Sequence, residues 1–342
     1  MKRKVVIALV LSLSACSDQV DKAAKKRIFS PEDPPQAVAA ASEKLPPQDV
    51  AEKPAVARRV LGMSAAEATE RIGAHRYVAT INWEWSAAAG TGGKTVRLKE
   101  SRALLAGAGG MSGDFFATLS NTNNMGLEVM RVGGKVYARS TYGKDGAGKF
   151  RQRLRDRGMA ERMRDEAFGA VRDFDQLFRG RLKLVAQGTS SFEGRTAWKY
   201  VVSLADAAEE TPSALPPLLE PKGGVDDTTR RRRAFYEQRA PKSLQGEIYV
   251  DADTSVVLKA HLDGRMGVTG TDGGADAELR LALDSSMSDL GKSPRIEVPK
   301  DFLPDEDKPA GIAAALKRFG IERAGADGGV AASGGDLPED DE

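Results

Sequence analysis

Apolar and polar residues alternate with a period of two along much of the chain. In residues 77–85 the odd positions are Tyr77, Ala79, Ile81, Trp83 and Trp85, and the even positions are mostly polar. That is the signature of a strand with one apolar face. Strand-like runs follow at 95–105, 114–120, 126–132 and 135–141, separated by glycine-rich turns. Gly133-Gly134 between Val132 and Lys135 predicts a tight hairpin. The alternation returns in Leu182, Leu184 and Ala186, in Thr196, Trp198, Tyr200, Val202 and Leu204, in Val256, Leu258, Ala260 and Leu262, and in Leu279, Leu281 and Leu283. So many short strands joined by turns predict one large antiparallel sheet with a wet face and a covered face.

The helical period occurs in few places. Met163, Ala167, Val171, Phe174 and Phe178 recur at spacings of three and four, predicting one helix over 159–178. Ser64 as N-cap and Glu67 three residues later predict a helix from 64 to about 76. A third is predicted over 309–319, with Ile312, Leu316 and Phe319 on one side and Pro309 in its first turn. These helices must cover the apolar face. The predicted architecture is α+β, a strongly curved antiparallel sheet with helices on its concave face.

Three regions fall outside this pattern. Residues 16–62 are rich in Pro, Ala, Lys and Glu without apolar periodicity, and predict an extended, disordered tether. Residues 206–245 carry Pro212, Pro216, Pro217 and Pro221 and then Arg230 to Arg233, and predict a surface insertion with a short helix near 231–239. Residues 321–342 are rich in Gly, Ala and acid and predict a disordered tail. The folded domain is thus expected over 63–320.

The first fifteen residues change the picture of the whole chain. Lys2, Arg3 and Lys4 precede a short apolar stretch, and Leu13-Ser14-Ala15-Cys16 matches the lipobox of a bacterial lipoprotein signal. Small residues let the signal peptidase close on the backbone, and the Cys16 thiol then takes a diacylglycerol. Ser17 stands where Asp would favour inner-membrane retention, so a lipid-anchored, periplasm-facing protein of the outer membrane is expected. The formal net charge is +2, and loss of Lys2, Arg3 and Lys4 with the signal takes it to −1, which gives no basic excess for nucleic acid. Cys16 is the single cysteine, so no internal disulfide is expected.

Other candidate chemistry is thin. Residues 88–95 read Ala-Ala-Gly-Thr-Gly-Gly-Lys-Thr, a relaxed phosphate-loop pattern, but a strand rather than a helix follows, so a hairpin turn is expected. Residues 107–113 have the wrong spacing for a dinucleotide fingerprint and predict a flexible loop. His75 and His261 lack partners at ligand spacing and are expected on the surface. Asp251 and Asp253 lack the glycine and glutamate of a calcium loop and predict a turn. Lys149, Arg151, Arg153, Arg155 and Arg157, and Arg230 to Arg233, could meet anionic headgroups, but neighbouring acids predict a solvated helix start or loop. No catalytic group, metal site or cofactor site is expected.

Gly194-Arg195-Thr196-Ala197-Trp198-Lys199-Tyr200 resembles a hairpin of the LolA-like and LppX/LprG-like half-barrel proteins. Residues 248–254, reading Ile-Tyr-Val-Asp-Ala-Asp-Thr, are similar to the strand pair that follows it, and Asp289-Leu290-Gly291 with Ile296-Glu297-Val298-Pro299 is similar to the closing segment. The resemblance spans about 65–304. It implies an unclosed half-barrel whose helices fill its mouth, and a lipid or lipoprotein acyl chain held between sheet and helices without catalysis. The candidate lining residues are Trp83, Trp85, Phe115 and Trp198 from strands and Met163, Val171 and Phe174 from the helix. The same residues suit a dry core equally well. The alternative expectation is an envelope structural or interaction protein with a filled half-barrel that binds another protein.

Overall fold

The computed structural model describes residues 41–87, 95–142, 148–154, 156, 158–206, 235–268, 277–292 and 294–305. All elements below belong to the compact unit that ends at Leu303; a second unit, Pro304–Glu342, follows.

Twelve strands form one sheet: β1 (His75–Ala87), β2 (Val96–Ala106), β3 (Phe115–Asn121), β4 (Met125–Val132), β5 (Lys135–Tyr142), β6 (Phe150–Arg153), β7 (Leu182–Phe192), β8 (Arg195–Leu204), β9 (Arg239–Asp251), β10 (Val257–Val268), β11 (Ala277–Ser288) and β12 (Phe302–Leu303). Their order is β12-β6-β5-β4-β3-β2-β1-β11-β10-β9-β8-β7, so the two edges do not meet. The sheet is the expected open, curved half-barrel. Two meanders make it. One runs outward from β1 to β6, and the other runs inward from β7 to β11. They join along a long antiparallel seam of β1 with β11, where Ile81 faces Leu283, Trp83 faces Leu281 and Trp85 faces Leu279. All pairs are antiparallel except β12 with β6.

The alternation in sequence is the alternation in burial. On β10 and β11 every second side chain is buried, through Leu258, Ala260, Leu262 and Met266, and through Leu279, Leu281 and Leu283. The β4–β5 turn is as expected. Gly133 and Gly134 both have positive φ, 57° and 74°, the geometry that matches a two-residue hairpin to strand twist.

The helices α1 (Pro54–Leu61), α2 (Ala65–Ile72), α3 (Met159–Phe168) and α4 (Ala170–Leu177) accompany the sheet. The expected single helix over 159–178 is two helices, because Gly169 ends one and starts the next. Asp156 accepts hydrogen bonds from the backbone N–H groups of Gly158 (3.2 Å) and Ala160 (3.1 Å) and so caps α3. Helix α3 packs over β1 to β4, and α4 over β11. Phe174 and Phe178 stack 4.7 Å apart, and Phe178 is fully buried against β10. Only a glycine at 264 admits it, since a Cβ there would come within 2.2 Å of the Phe178 ring. Ser64 caps α2 as expected, accepting from the Glu67 N–H, but α2 stops at Ile72 because Gly73 adopts φ 82°, and β1 begins at His75.

The tether expected over 16–62 does not extend that far. Within it, Leu45, Val50, Ala57, Val60 and Leu61 are buried in the main core. Pro47 and Pro54 start a 3-10 turn and α1, where a missing N–H costs nothing, rather than keeping the chain extended. The Tyr200 hydroxyl donates to the Pro47 carbonyl, and the Ser255 hydroxyl donates to the Leu45 carbonyl. Helix α1 has only eight residues, too few for periodicity to stand out. The insertion expected over 206–245 is also shorter, because β9 starts at Arg239. Its first half contains Pro241, next to a register shift opposite Arg265 and Met266, and lacks alternation. Strands β6 and β12 were not anticipated. Residues 150–153 of the basic run form β6, which lies between β5 and the two-residue edge strand β12, and Phe302 packs edge-on at 5.0 Å against Tyr137. Residues 107–113, expected as a loop, include a 3-10 turn at Gly110–Ser112 that packs on α2. Residues 1–40, the 309–319 helix, the tail, Lys94 and Arg230 to Arg233 lie outside the described residues.

Candidate functional site

Two of the three turn motifs, residues 194–200 and 248–254, meet in space. Arg195, just after the β7–β8 turn, grips the fully buried Asp251 through Nε (2.5 Å) and Nη2 (3.0 Å). Asp251 also accepts from the backbone N–H of Asp253 (3.2 Å) and Thr254 (2.8 Å) and from the Thr254 hydroxyl (2.8 Å). Burial works against the carboxylate, yet these donors hold its pKa below the usual range. This is a structural clasp, and the expected turn.

The larger opening lies elsewhere. A cleft of about 400 Å³ sits between the β1–β11 seam and α4. Its floor is apolar, with Ile81, Trp83 and Leu281 from the sheet and Phe174 and Leu177 from α4. Arg102, Glu166, Arg172 and Asp173 form a charged side, and Tyr236 borders it before β9. The strand pattern creates this arrangement. Trp83 is the fourth apolar-face residue of β1, and α4 presents Phe174 and Leu177 one turn apart. Trp83 Nε1 is buried and has no hydrogen-bond partner among the described residues.

The charged side is internally paired. Arg102 reaches from β2 to Glu100 (2.6 Å), to Asp173 on α4 (2.5 Å) and to the Glu166 carbonyl at the end of α3 (2.9 Å). Burial lowers its basicity, but Glu100 and Asp173 more than offset this and raise its pKa. Arg172 pairs with Asp165 at 2.6 Å and with Asp173 at 3.5 Å. The buried Arg239 donates to the carbonyls of Leu177 (2.8 Å) and Gln176 (2.9 Å), a cation on the C-terminus of α4. Among the described residues no three His, Cys, Asp or Glu side chains could together hold a metal ion, and no helix is long and apolar enough to cross a membrane.

Of the seven expected lining residues, the structure brings Trp83 and Phe174 into the cleft. Val171 borders a separate void of only about 20 Å³, with Tyr77 and Phe168. Phe115 and Met163 are packed in the core, and the guanidinium groups of Arg131 and Arg164 each lie 5.1 Å from the Phe115 ring centre. Trp198 packs on the core from β8, away from the cleft. Trp85 does not line the cleft; it is 36% exposed and 6.1 Å from Phe235. Cys16 lies outside the described residues. Arg102, Arg172, Asp173 and Tyr236 were missed, because a buried ion pair on an amphipathic pattern reads as a solvated position.

The histidines divide. His261 is exposed as expected and pairs with Asp284 at 2.5 Å across β10 and β11. His75, expected on the surface, is fully buried at the start of β1. Its Nδ1 donates to the Gly73 carbonyl at 2.9 Å, which leaves Nε2 without a partner among the described residues. The early end of α2 turns this side chain inward, and burial lowers its pKa to about 4.

No family model and no curated protein matches the chain. Solved structures do. The lipoprotein LppX of Mycobacterium tuberculosis is 8% identical, over 70% of this chain and 97% of its own, with a TM-score of 0.25. LprF of Mycobacterium bovis is 14% identical over 71% and 96%, at 0.24. The MucA/MucB complex of Pseudomonas aeruginosa is 14% identical over 68% and 58%, at 0.19, so this chain spans less than two thirds of that protein.

Proposed function

We propose that this is a lipid-anchored envelope protein that binds an amphiphile in its half-barrel without transforming it. The observation that carries the reading is the cleft of about 400 Å³ between the strand seam and α4, whose floor is apolar and whose wall is polar. Its size falls within the range of about 300–1,000 Å³ for small-molecule sites. Each CH₂ buried there would contribute roughly 0.8 kcal/mol, so a medium-length chain needs no covalent chemistry to be held. Acylation of Cys16 would keep the domain at a membrane, and Ser17 favours the outer one, facing the periplasm.

The test is native mass spectrometry of the secreted chain from Ser17 onward, purified in contact with membranes. A retained lipid, or stoichiometric binding of an acyl probe, is the expected result. If no lipid co-purifies and acyl probes do not bind, the reading fails. A second reading rests on the dense packing under α3, where the neighbouring void holds only about 20 Å³. On that reading the half-barrel is a filled scaffold for another envelope protein, and pull-down of a defined partner by a lipid-free protein would favour it.

A further inference from the structure

We infer that Arg239 is a positioning residue of the cleft: its guanidinium ties the C-terminal end of α4 to the turn that carries Tyr236, and so fixes one side of the site. The inference rests on the amphiphile-binding reading and adds the residue that holds the shape of the site.

Arg239 is 8% exposed and is not itself among the residues that line the cleft. Its three side-chain nitrogens donate to three carbonyls. Nε reaches Leu177 at 2.8 Å, Nη2 reaches Gln176 at 2.9 Å, and Nη1 reaches Tyr236. All three of those residues line the cleft. Gln176 and Leu177 end α4, and Tyr236 sits in a helical stretch, residues 235–238, that stops where β9 begins. The last carbonyls of a helix carry partial negative charge, so one cation can serve both ends. The Arg179 N–H also reaches the Gln176 carbonyl, at 3.1 Å, so what Arg239 adds is the tie between the two ends rather than the cap alone. The Tyr236 ring is held as well, with the guanidinium carbon 4.8 Å from its centre. The sheet steadies the grip, because Arg239 opens β9 and pairs with Val268 on β10. Sheet, helix and tyrosine thus meet at one side chain. A lysine there would keep the charge, but an ammonium has no planar fork to span carbonyls on two helix ends while stacking on a ring.

The experiment uses the secreted chain from Ser17, titrated calorimetrically with 1-monododecanoylglycerol below its critical micelle concentration. Arg239→Met removes the fork, and Arg239→Lys keeps the charge alone. The paired change Asp251→Asn,Arg195→Met loosens the fold at a clasp outside the cleft and serves as the control. Under conditions where circular dichroism shows every chain folded, Arg239→Met is expected to weaken binding about tenfold, because the ligand must then order a wall that was pre-set. Arg239→Lys should still lose at least about threefold, and the control should stay within about twofold of the wild type. A second readout needs no ligand. With Trp83→Phe and Trp198→Phe, Trp85 is the remaining tryptophan, 6.1 Å from Phe235, which packs edge-on at 5.6 Å against Tyr236. Adding Arg239→Met should shift its emission to longer wavelength as the Phe235–Tyr236 pair is released. Wild-type affinity in either Arg239 variant, an equal loss in the control, or unmoved Trp85 emission overturns the inference while leaving amphiphile binding intact. Should Arg239→Met not fold, Arg239→Lys carries both readouts with the same refuting results. If the wild type does not bind the monoglyceride, the inference falls together with the reading beneath it.

Discussion

Replacing His75 by Phe and, separately, Asp175 by Asn should tilt the dependence of stability on pH in opposite directions. His75 is fully buried, its Nε2 has no partner, and burial lowers its pKa to about 4 from an ordinary 6.5. The unfolded chain therefore binds a proton that the folded chain refuses between those values. Stability falls as pH drops from 6.5 to 4 and levels off below. At about 1.4 kcal/mol per pH unit the loss is about 3 kcal/mol. Asp175 on α4 has the opposite sign. Burial raises its pKa to about 6 from 3.8, against the opposing charge of Arg58 on α1. The folded chain takes up that proton first, so stability rises as pH drops from 6 to 3.8. Partial exposure reduces this gain to about 2 kcal/mol. In the wild type the two nearly cancel. His75→Phe should gain about 2 kcal/mol between pH 7 and pH 4, and Asp175→Asn should lose about 3 kcal/mol, relative to what all other groups contribute. Urea unfolding of the secreted chain at pH 7, 5.5 and 4.2 measures this, and the difference between the two variants removes the common background. Parallel profiles for the two variants would refute the assignment of both groups.

Three further outcomes follow from other contacts. Arg195→Met should cost about 3–5 kcal/mol, because it strips the guanidinium from a fully buried Asp251, and urea titration should show a smaller loss in Asp251→Asn,Arg195→Met than in the single variant. Gly264→Val should destabilise by about 1–3 kcal/mol through overlap with the Phe178 ring, with partial recovery when Phe178→Ala is added, read as a shift in thermal midpoint. Cys16→Ser should abolish incorporation of labelled palmitate and release the protein from the membrane fraction, and persistent labelling would overturn the lipobox reading.

Most of the sheet was legible because its strands are wet on one face. Where one face is buried, period two records both strand and orientation, as on β1, β10 and β11. It fails where a strand is short or charged. β6 contributes Phe150 as its one apolar residue, and the start of β9 holds Arg239, Pro241 and Lys242. Helix α1 was lost to Pro54 at its start, since a proline begins a helix as readily as it prevents one. The site was less legible than the fold. The floor residues Trp83 and Phe174 carry an apolar signal, but nothing in their spacing separates cleft from core, and Phe115 and Met163 with the same signal lie in packed interior. Arg102 and Asp173 are 71 residues apart. Only the topology, which lays α4 over β11 beside the seam with Asp173 within reach of Arg102 on β2, makes them partners.

That topology also explains why the wall of the cleft is charged at all. A single straight helix over 159–178 would cover the sheet evenly. The break at Gly169 instead lets α3 settle over β1 to β4 while α4 turns to β11, and the cleft opens along α4. A Cβ at 169 would come within 2.1 Å of the Arg172 guanidinium and 2.9 Å of the Asp165 carbonyl oxygen, so glycine is needed for Arg172 to fold back over the break. There it bonds the Asp165 carboxylate at 2.6 Å and carbonyl at 3.3 Å, while Arg102 satisfies the Glu166 carbonyl from the sheet side. The last carbonyls of a helix need donors; the Gly169 N–H reaches both of these, at 2.9 and 3.3 Å, and each arginine adds a second donor to one of them. Their charges thus hold the bend that makes the cleft. Any ligand head that drew one of them away would loosen the wall it binds against, which sets a cost on anionic heads beyond simple repulsion. Gly169→Ala should therefore weaken any acyl-probe binding more than a change of similar stability cost elsewhere, such as Gly264→Ala, and equal effects on binding from the two would count against a wall held by its arginines.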